Sequence, residues 1–477
     1  MKLALVCLDE KMGTPPLGLA YIASYLRKYG NFDNTVIIDK EEPLKAIQKK
    51  KPDVVGISSV TPEFSRAESL AKNIKEKFDI PVIVGSSHIS SIPSNLHNCF
   101  DIGVIGEGEQ TVLELVSLFE SKGSFVPDML KNIDGLVFHE GSNLHITNPR
   151  KQILPLDSIP FPARDLLKMK EYYLQPRRVP HIPGKVAIGT HIMSSRGCPY
   201  RCVFCSSANF WKGIRFHSAK FVVEEIKDVF EKYKINTISI LDDLFIANKK
   251  RVADINSLLK KEGLAGEIEF GCYGRANLID DEMCETLKEM NVTSVAFGFE
   301  SGSERILNYL KKGTVKATDN IHAIETCRKH SLKVTGSFMI GNPGETKEDL
   351  EMTRDFIRNY PIDTASLFIT TPLPGTELWE LAKKENLVSD DMNWGEVDKN
   401  FNWTTDDKIP DRTFFPFNGD KEVRIKLYKE IQDEINKINF TGVEFKWKYL
   451  FSRSALKMIL TRPGVALKYL KGLRLKK

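Results

Sequence analysis

Two periodicities alternate along the first 125 residues. Short apolar runs rich in β-branched residues have the length of buried strands, and the segments between them carry apolar residues at helical spacing. The predicted strands are 3–8, 35–39, 54–58, 82–84 and 102–105, and the predicted helices are 17–29, 43–50, 63–77 and 111–120. Continuous apolar strands between amphipathic helices indicate an α/β domain built on a doubly wound parallel sheet.

Residues 126–184 are predicted to form a connector with a small hairpin near 133–143. From 185 to 385 a strand and a helix then alternate six times. The predicted strands are 186–194, 237–241, 268–273, 294–299, 333–340 and 365–370. This repeat predicts a partial (β/α)6 barrel of the TIM type, whose chemistry lies at the C-terminal ends of its strands. Residues 386–477 are predicted to be an α-rich region with a helix over 421–437 and aromatic segments at 401–403 and 414–417.

Small and polar residues follow the predicted N-terminal strands. Parallel sheets bind ligands at this edge, and residues without bulky side chains let backbone amides approach a large ligand closely. The candidate ligand-binding residues are Ser58, Thr61, Gly85, His88, Gly106, Glu107, Gly108 and Glu109. No G-x-G-x-x-G follows the first strand, which disfavours a dinucleotide as the ligand.

Three cysteines follow the first barrel strand at C-x3-C-x2-C spacing: Cys198, Cys202 and Cys205. Gly197 and Pro199 bend the chain there, so that the three thiolates can reach one metal centre. An iron–sulfur cube normally has four thiolate ligands, and three would leave one iron open for chemistry.

A structural zinc site, with His191 or His217 as the fourth ligand, is the alternative. The position of the loop at the catalytic end of the barrel argues against it. The other cysteines are expected to serve packing. Eight cysteines in a chain of 477 residues fit no disulfide framework and indicate a reducing compartment, which is expected to be the cytoplasm.

Polar residues end the later barrel strands as well. Asp243 follows the second strand, Tyr273 and Arg275 the third, and Glu300 and Ser301 the fourth. Strand alternation predicts that Arg275 points into the lumen with Tyr273. Acidic, basic and hydroxyl groups of this kind would bind the ammonium and carboxylate of an amino acid moiety. A buried structural ion pair among the same residues is the alternative.

The same alternation assigns two small residues, Ala296 and Gly298, to the lumen face with Glu300. Cys272 and the aromatic Phe297 and Phe299 are then expected to face the outer helices. Small residues inside and large residues outside are what a ligand-filled lumen requires.

Several sequence motifs resemble those of a known family. The loop 196–205, including the aromatic Phe204 before the last cysteine, is similar to the cluster loop of radical S-adenosylmethionine enzymes. Segments 297–303, 339–346 and 372–378 resemble further motifs of that superfamily, and the last two are typical of the branch with an N-terminal cobalamin domain. Segments 15–20, 55–58, 84–88 and 104–109 resemble the cobalamin-binding domain itself. The two resemblances cover about four-fifths of the chain.

The resemblance implies that Cys198, Cys202 and Cys205 hold a 4Fe-4S cluster that binds S-adenosylmethionine. One electron from a low-potential donor of the flavodoxin or ferredoxin type would then yield a 5′-deoxyadenosyl radical, which takes hydrogen from an unactivated carbon. Cobalamin is implied too, but no D-x-H-x-x-G supplies a histidine for its lower face. The implied cofactor contacts in the barrel are Phe204, Asp243, Ser301, Ile340 and Gly341, and the candidate catalytic residues are Tyr273, Arg275 and Glu300.

The net charge of +5 is unevenly distributed. Residues 445–477 hold ten Lys or Arg and no Asp or Glu, whereas the rest of the chain holds 58 basic and 63 acidic residues. That balance gives no reason to expect nucleic acid as a partner. Interleaved aromatic residues make the basic segment amphipathic, which predicts docking on an anionic membrane surface and a lipid-like or otherwise apolar small-molecule substrate. Packing on the acidic body and binding of an acidic partner are the alternatives.

These patterns favour an enzyme, a cobalamin-dependent radical methyltransferase acting on an inert carbon. An oxidative cyclase or a rearrangement enzyme of the same family, acting on a tetrapyrrole-like or natural-product substrate, is the alternative, as is hydrogen abstraction without cobalamin. A non-catalytic sensor of iron–sulfur or cobalamin status and a zinc-stabilised scaffold are the other classes considered.

Overall fold

Two sheets organise the residues that the computed structural model describes, which are 1–8, 13–178, 186–395 and 413–441. The N-terminal sheet contains, in spatial order, β2 (Val36–Ile38), β1 (Leu3–Cys7), β3 (Val54–Ser58), β4 (Val82–Gly85), β5 (Ile102–Val104), β6 (Leu136–Glu140) and β7 (Asn143–Ile146). The first five strands are parallel, and β6 and β7 pair antiparallel at one edge. The hairpin predicted in the connector therefore extends this sheet.

Helices cover both faces of the N-terminal sheet, as the apolar strands predict. Leu3 and Leu5 of β1 pack in the same core as α1 and α5, whereas Ala4 and Val6 pack with α2 and α3. The helices of this part are α1 (Leu17–Gly30), α2 (Pro43–Lys50), α3 (Phe64–Phe78), α4 (Ser87–Ser91), α5 (Gly108–Lys122) and α6 (Pro127–Leu130). The predicted doubly wound fold is confirmed.

The second sheet is an open barrel of six parallel strands. Between the two sheets, β8 (Arg177–Arg178) pairs with β9 (Val186–Ala187). The barrel strands, in spatial order, are β10 (Gly189–Ile192), β13 (Thr237–Ile240), β14 (Glu269–Gly274), β15 (Val292–Glu300), β16 (Lys333–Ile340) and β17 (Thr364–Ile369). A separate antiparallel ribbon contains β11 (Ser195–Gly197) and β12 (Ile214–Phe216). The predicted (β/α)6 arrangement is confirmed, with β10 and β17 as the edges of the curled sheet.

Helices lie outside the barrel strands and one long helix follows them. They are α7 (Ser207–Trp211), α8 (Ala219–Tyr233), α9 (Lys249–Lys261), α10 (Asp281–Glu289), α11 (Glu304–Lys311), α12 (Ala317–Lys329), α13 (Lys347–Asn359), α14 (Glu377–Lys384) and α15 (Lys421–Thr441). Ion pairs Arg354–Glu430 (2.8 Å) and Arg358–Glu434 (2.9 Å) join α13 to α15. The aromatic segment 401–403 and the basic segment 445–477 lie outside the described residues. Among the helices that are described, none is both long and apolar enough to cross a bilayer.

The first barrel strand differs from its prediction as one strand over 186–194. It is divided into β9 and β10, and the chain then leaves the sheet at Ser194 to form β11 of the ribbon. The carboxylate of Asp242 accepts the backbone N–H groups of Ser194 (2.6 Å) and Ser195 (3.0 Å), which would otherwise continue the parallel pairing. The cysteine loop therefore begins at the end of a ribbon instead of directly at the barrel sheet.

Candidate functional site

A cavity of about 410 Å³ lies between the carboxyl edge of the N-terminal sheet and the start of the barrel. The strand order reverses beside β1 and β3, which is the position where open α/β sheets bind ligands. Of the residues predicted there, those that line the cavity are Ser58, Gly85, Gly106, Glu107, Gly108 and Glu109. A Cβ added to Gly18 or Gly106, both in the cavity wall, would meet no atom within 4 Å. These glycines leave open space for a ligand, so the residues fit a large group such as cobalamin.

His88 and Thr61 lie behind this wall. Thr61 Oγ1 is 3.2 Å from Nδ1 of the fully buried His88, and Nε2 is 3.1 Å from Oδ1 of Asn95. The imidazole packs against the rings of Phe64 (3.9 Å) and Trp394 (4.6 Å between centroids). Burial lowers the pKa of His88 to about 4. Both ring nitrogens are thus engaged with protein groups away from the cavity.

Glu107 and Glu109 face arginines of the ribbon beside the cysteine loop. Arg196 donates to Glu107 (2.7 Å) and Glu109 (2.6 Å), and Arg215 donates to Glu107 (2.8 Å). Burial alone would raise the pKa of Glu107, but the hydrogen bond from Arg215 and the charge of Arg196 hold it below its usual value. Arg196 and Arg215 were not predicted as site residues, although two buried carboxylates imply cationic partners.

Asp242 and Asp243, which follow β13, have different roles. Besides the two amides, Asp242 accepts the hydroxyls of Ser194 (2.6 Å) and Ser195 (2.7 Å). Asp243 accepts the hydroxyl of Ser207 at 2.5 Å and a backbone hydrogen bond from Gly197. Burial raises the pKa of Asp243 and these hydrogen bonds oppose that rise. Asp242, which the sequence did not single out, thus holds the chain before the cysteines, and Asp243 holds the loop itself.

Further contacts hold the middle of the cysteine loop. The Val203 N–H donates to the Leu310 carbonyl at 3.0 Å, and the Val203 carbonyl accepts from Leu378 N–H at 3.1 Å. Arg275 Nη1 is 3.5 Å from Cys202 Sγ, and its guanidinium lies 3.7 Å from the ring centre of Tyr200. Arg275, which strand alternation assigns to the lumen with Tyr273, is buried against the cysteine loop, whereas Tyr273 is exposed.

The three thiols of the loop are free and partly buried. Burial raises the pKa of Cys198 and raises that of Cys205 to about 11. Within the described ranges, no group of three or more His, Cys, Asp or Glu side chains is close enough to hold a metal ion. The thiolate ligands of an iron–sulfur cube bind different iron atoms, so they lie further apart than the ligands of a single metal ion. Three cysteines that bind a cube therefore need not lie close enough to bind one ion together. Arg275, beside Cys202, can donate to a ligand sulfur, and hydrogen bonds of this kind help to set the reduction potential of iron–sulfur clusters.

His217, considered as a fourth zinc ligand, is engaged elsewhere. Its Nδ1 is 3.1 Å from Asp157 Oδ1, and its ring stacks on Phe221 with centroids 4.2 Å apart. Burial lowers the pKa of His217 to about 4, although Asp157 acts in the opposite direction. These contacts give His217 a structural role between the connector and α8.

Glu300 and Ser301 do not form one site with Arg275. Glu300 pairs with the buried Lys311 at 2.9 Å, a residue that the sequence did not single out. Ser301 is fully buried and shares a hydrogen bond of 3.0 Å with Thr353. For Glu300 the structure shows the buried ion pair that was the alternative interpretation, with a partner from α11.

The lumen face of the barrel carries small and aromatic residues. Tyr273 is 47% exposed, whereas its neighbour Cys272 is buried against the outer helices, as predicted. Phe368 of β17 is 44% exposed between the buried Leu367 and Ile369. Phe297 is buried in the outer core too, which agrees with the predicted alternation along β15.

Ile340 and Gly341 end β16. Ile340 is buried and pairs with Ile369, and Gly341 donates its N–H to Glu345 at 2.7 Å. Gly341 has a φ of 77°, and a Cβ there would lie 2.8 Å from the Thr413 side chain. Close packing and backbone conformation therefore account for this glycine.

Comparisons with known proteins agree with this arrangement. Residues 192–357 match the radical SAM superfamily and residues 5–116 match the B12 binding domain. An uncharacterised methyltransferase of Pyrococcus horikoshii is 39% identical over 80% of this chain and 81% of its own. An anaerobic magnesium-protoporphyrin IX monomethyl ester cyclase of Cereibacter sphaeroides is 26% identical over 79% of this chain and 61% of its own.

A solved structure shares the fold of both parts. It is a radical S-adenosylmethionine methyltransferase from Kitasatospora setae with cobalamin and a 4Fe-4S cluster bound. It aligns with 80% of this chain and 78% of its own, with a TM-score of 0.64 and 18% sequence identity. At that identity the likeness concerns the fold.

Proposed function

Since the chain belongs to the radical S-adenosylmethionine enzymes that carry an N-terminal B12-binding domain, we propose that it methylates an unactivated carbon of an apolar substrate. Its cofactors are a 4Fe-4S cluster, S-adenosylmethionine and cobalamin. Together they supply a carbon radical able to remove hydrogen from an inert carbon, and a carrier for the methyl group. A low-potential protein of the flavodoxin or ferredoxin type is the proposed source of electrons.

The shared cavity is the observation that carries this proposal. Ser206 and Ser207, directly after Cys205, line the same cavity as Gly85 and Gly106 of the N-terminal sheet. A cofactor seated at the sheet would therefore face the cysteine loop across one shared cavity. A reaction that uses both cofactors requires this closeness, whereas a sensor of either one does not.

In this proposal Cys198, Cys202 and Cys205 bind the cluster, and the residues around them orient the loop. Asp243 fixes Gly197, and Arg275 contacts the Cys202 sulfur and stacks on Tyr200. Phe204 lies under the Lys311 ammonium, 5.5 Å from its ring centre, and helps to exclude water from the loop.

The lumen face supports an apolar substrate. Tyr273 and Phe368 are exposed there, and Met339 lies beside Phe368 in the strand register. The neighbouring Ser337 and Ser366 are small and uncharged. An apolar molecule would bury these aromatic surfaces on binding, which stabilises the complex.

Anaerobic reconstitution followed by product analysis tests the proposal. The protein should hold about four irons and four sulfides and bind hydroxocobalamin. With S-adenosylmethionine and a reductant it should form both 5′-deoxyadenosine, from the radical, and S-adenosylhomocysteine, from methyl donation. Alanine at Cys198, Cys202 and Cys205 should abolish the iron and 5′-deoxyadenosine while the protein stays folded. A triple variant that keeps its cluster would contradict the assignment.

Ring formation is the second candidate, because two relatives of this chain are cyclases. Cyclisation needs hydrogen abstraction without methyl donation. Formation of 5′-deoxyadenosine alone, with no S-adenosylhomocysteine in the presence of bound cobalamin, would favour a cyclase over a methyltransferase.

The basic segment 445–477 is proposed to dock the enzyme on an anionic membrane, where a lipid-like substrate would be found. The support is its ten cations without an anion, interleaved with aromatic residues. Binding to sedimented vesicles should require anionic lipid, weaken with salt and disappear when 445–477 is deleted. Equal binding by the truncated chain would contradict docking by this segment.

A further inference from the structure

We infer that Arg196 couples cobalamin binding in the cavity to the geometry of the cysteine loop. Arg196 is the middle residue of the ribbon strand β11, two residues before Cys198, while its partners Glu107 and Glu109 lie at the start of α5 in the cavity wall. All three side chains are about 5% exposed, and the ion pairs measure 2.7 and 2.6 Å. One buried guanidinium thus joins the two proposed cofactor sites, and this inference rests on the proposed function.

The opposite strand of the ribbon is fixed to the same carboxylate. Arg215, directly across from Arg196, donates to Glu107 at 2.8 and 3.0 Å and to the Ile153 carbonyl at 2.9 Å. The Trp211 ring lies 5.4 Å from the Arg196 guanidinium and 5.7 Å from that of Arg215. The two arginines and two glutamates balance in charge.

The four charged side chains of this network can hardly move independently of one another. Separating any of its buried charges would leave an unpaired ion in the interior, which is strongly unfavourable. Gly197, the residue between Arg196 and Cys198, has a φ of 88°, and a Cβ there would lie 2.0 Å from the Gly213 carbonyl oxygen. A shift of the α5 start on cobalamin binding is therefore transmitted through Arg196 to the cysteine loop, and the reverse holds by linkage. Arg196 is a positioning residue in this scheme.

A binding cycle tests the inference. The dissociation constant of hydroxocobalamin is measured by absorbance titration in cluster-loaded protein and in protein with alanine at Cys198, Cys202 and Cys205. In the wild-type background, the loaded protein should bind roughly five-fold more tightly or better, the lower range of allosteric coupling. Glu109→Gln removes the ion pair between Arg196 and Glu109 but keeps the ion pairs of Glu107 with Arg196 and Arg215. In this variant, the dissociation constants of the loaded and cluster-free proteins should differ by less than about two-fold.

Glu114→Gln is the matched control. Glu114 lies on the same helix, and its ion pair with Arg150 reaches the connector without contacting the cysteine loop. This variant should keep the wild-type coupling. Arg196→Lys, which retains the charge but loses the two-armed geometry, is the second test variant if Glu109→Gln proves unfolded by circular dichroism. The electron paramagnetic resonance of the reduced cluster, in protein prepared with and without cobalamin, provides the reciprocal readout.

The outcomes distinguish a failure of the coupling from a failure of the proposed function. Binding of both cofactors with equal cobalamin affinity in the loaded and cluster-free proteins would overturn the coupling alone, as would unchanged coupling in Glu109→Gln or its loss in Glu114→Gln. A protein that binds no hydroxocobalamin or holds no cluster would overturn the proposed function, and the coupling with it.

Discussion

The carboxylate of Asp242 accepts the backbone N–H of Ser194 at 2.6 Å, and this contact ends the first barrel strand. Asp242 is fully buried and takes four hydrogen bonds from two consecutive serines. The chain can therefore turn away from the sheet at Ser194 and Ser195, because Asp242 pairs the two backbone N–H groups that leave the sheet. The start of the cysteine loop therefore depends on a residue from the neighbouring strand.

We expect Asp242→Asn to destabilise the protein by about 1–3 kcal/mol, because the amide nitrogen cannot accept the two serine hydroxyl protons and the amide oxygen accepts the two backbone N–H groups without a charge. Iron incorporation should fall with it. Ser195→Ala, which removes one hydroxyl only, should cost about 1 kcal/mol. Denaturant unfolding and iron analysis of the two variants measure both effects. Equal stability of Asp242→Asn and wild type would show that these bonds do not hold the loop.

Arg275→Gln should leave the cluster bound but lower its reduction potential. The positive charge beside Cys202 favours the reduced, more negative cluster, and the neutral glutamine lacks it. Activity should fall roughly 10- to 100-fold, as for other groups that orient metal ligands. A redox titration followed by electron paramagnetic resonance measures the potential. Arg328→Gln, at an exposed arginine on α12, should leave the potential unchanged.

His88→Ala should leave the spectrum of bound cobalamin unchanged, because both imidazole nitrogens face Thr61 and Asn95. The variant should still lose roughly 2–4 kcal/mol of stability through the lost packing and the unpaired Asn95. The absorption of bound hydroxocobalamin and the electron paramagnetic resonance of its cobalt(II) form report any axial nitrogen. A spectral change specific to this variant would show that His88 does bind cobalt.

Stability should decrease with rising pH because of Glu345. This carboxyl is buried and accepts from Gly341 N–H (2.7 Å) and Asn342 (2.8 Å), and its burial raises its pKa to about 7. Between about pH 4.3 and 7 the folded chain keeps a proton that the unfolded chain has released, so the free energy of unfolding falls across that window.

The full effect is on the order of 3 kcal/mol. Glu345→Gln should remove it, whereas Glu385→Gln, at an exposed glutamate, should keep it. Urea unfolding between pH 5 and 8 measures the difference. A Glu345→Gln variant with the wild-type pH dependence would place the titration elsewhere.

Local patterns predicted the repeating units of both sheets because each strand and helix buries its own apolar face. The third helix, expected over 63–77, is observed as Phe64–Phe78. The union of the connector hairpin with the N-terminal sheet was not predictable in this way. The alternation of β6 and β7 is that of any hairpin, and only the free edge of β5 decides where it pairs.

The sequence predicted the cysteines of the site, but not all of the residues that hold the cysteine loop and its neighbours in place. Asp242 and Asp243 are adjacent carboxylates after one strand, and no local pattern tells which one holds Ser194 and which holds Ser207. The partner of Glu300 depends on how α11 returns to the barrel, which brings Lys311 to it. Such pairs are settled by tertiary packing, which leaves no periodicity in the sequence.

The six-stranded sheet has two edges, β10 and β17, where a complete barrel would have none. The β17 edge is not bare, because the Asn439 side chain of α15 accepts the N–H of Ala365 at 2.9 Å and donates to its carbonyl at 2.8 Å. The unpaired backbone groups of an edge strand are a template on which another chain can pair and aggregate. At Ala365, α15 therefore gives the open sheet the protection from edge-to-edge association that closure gives a complete barrel.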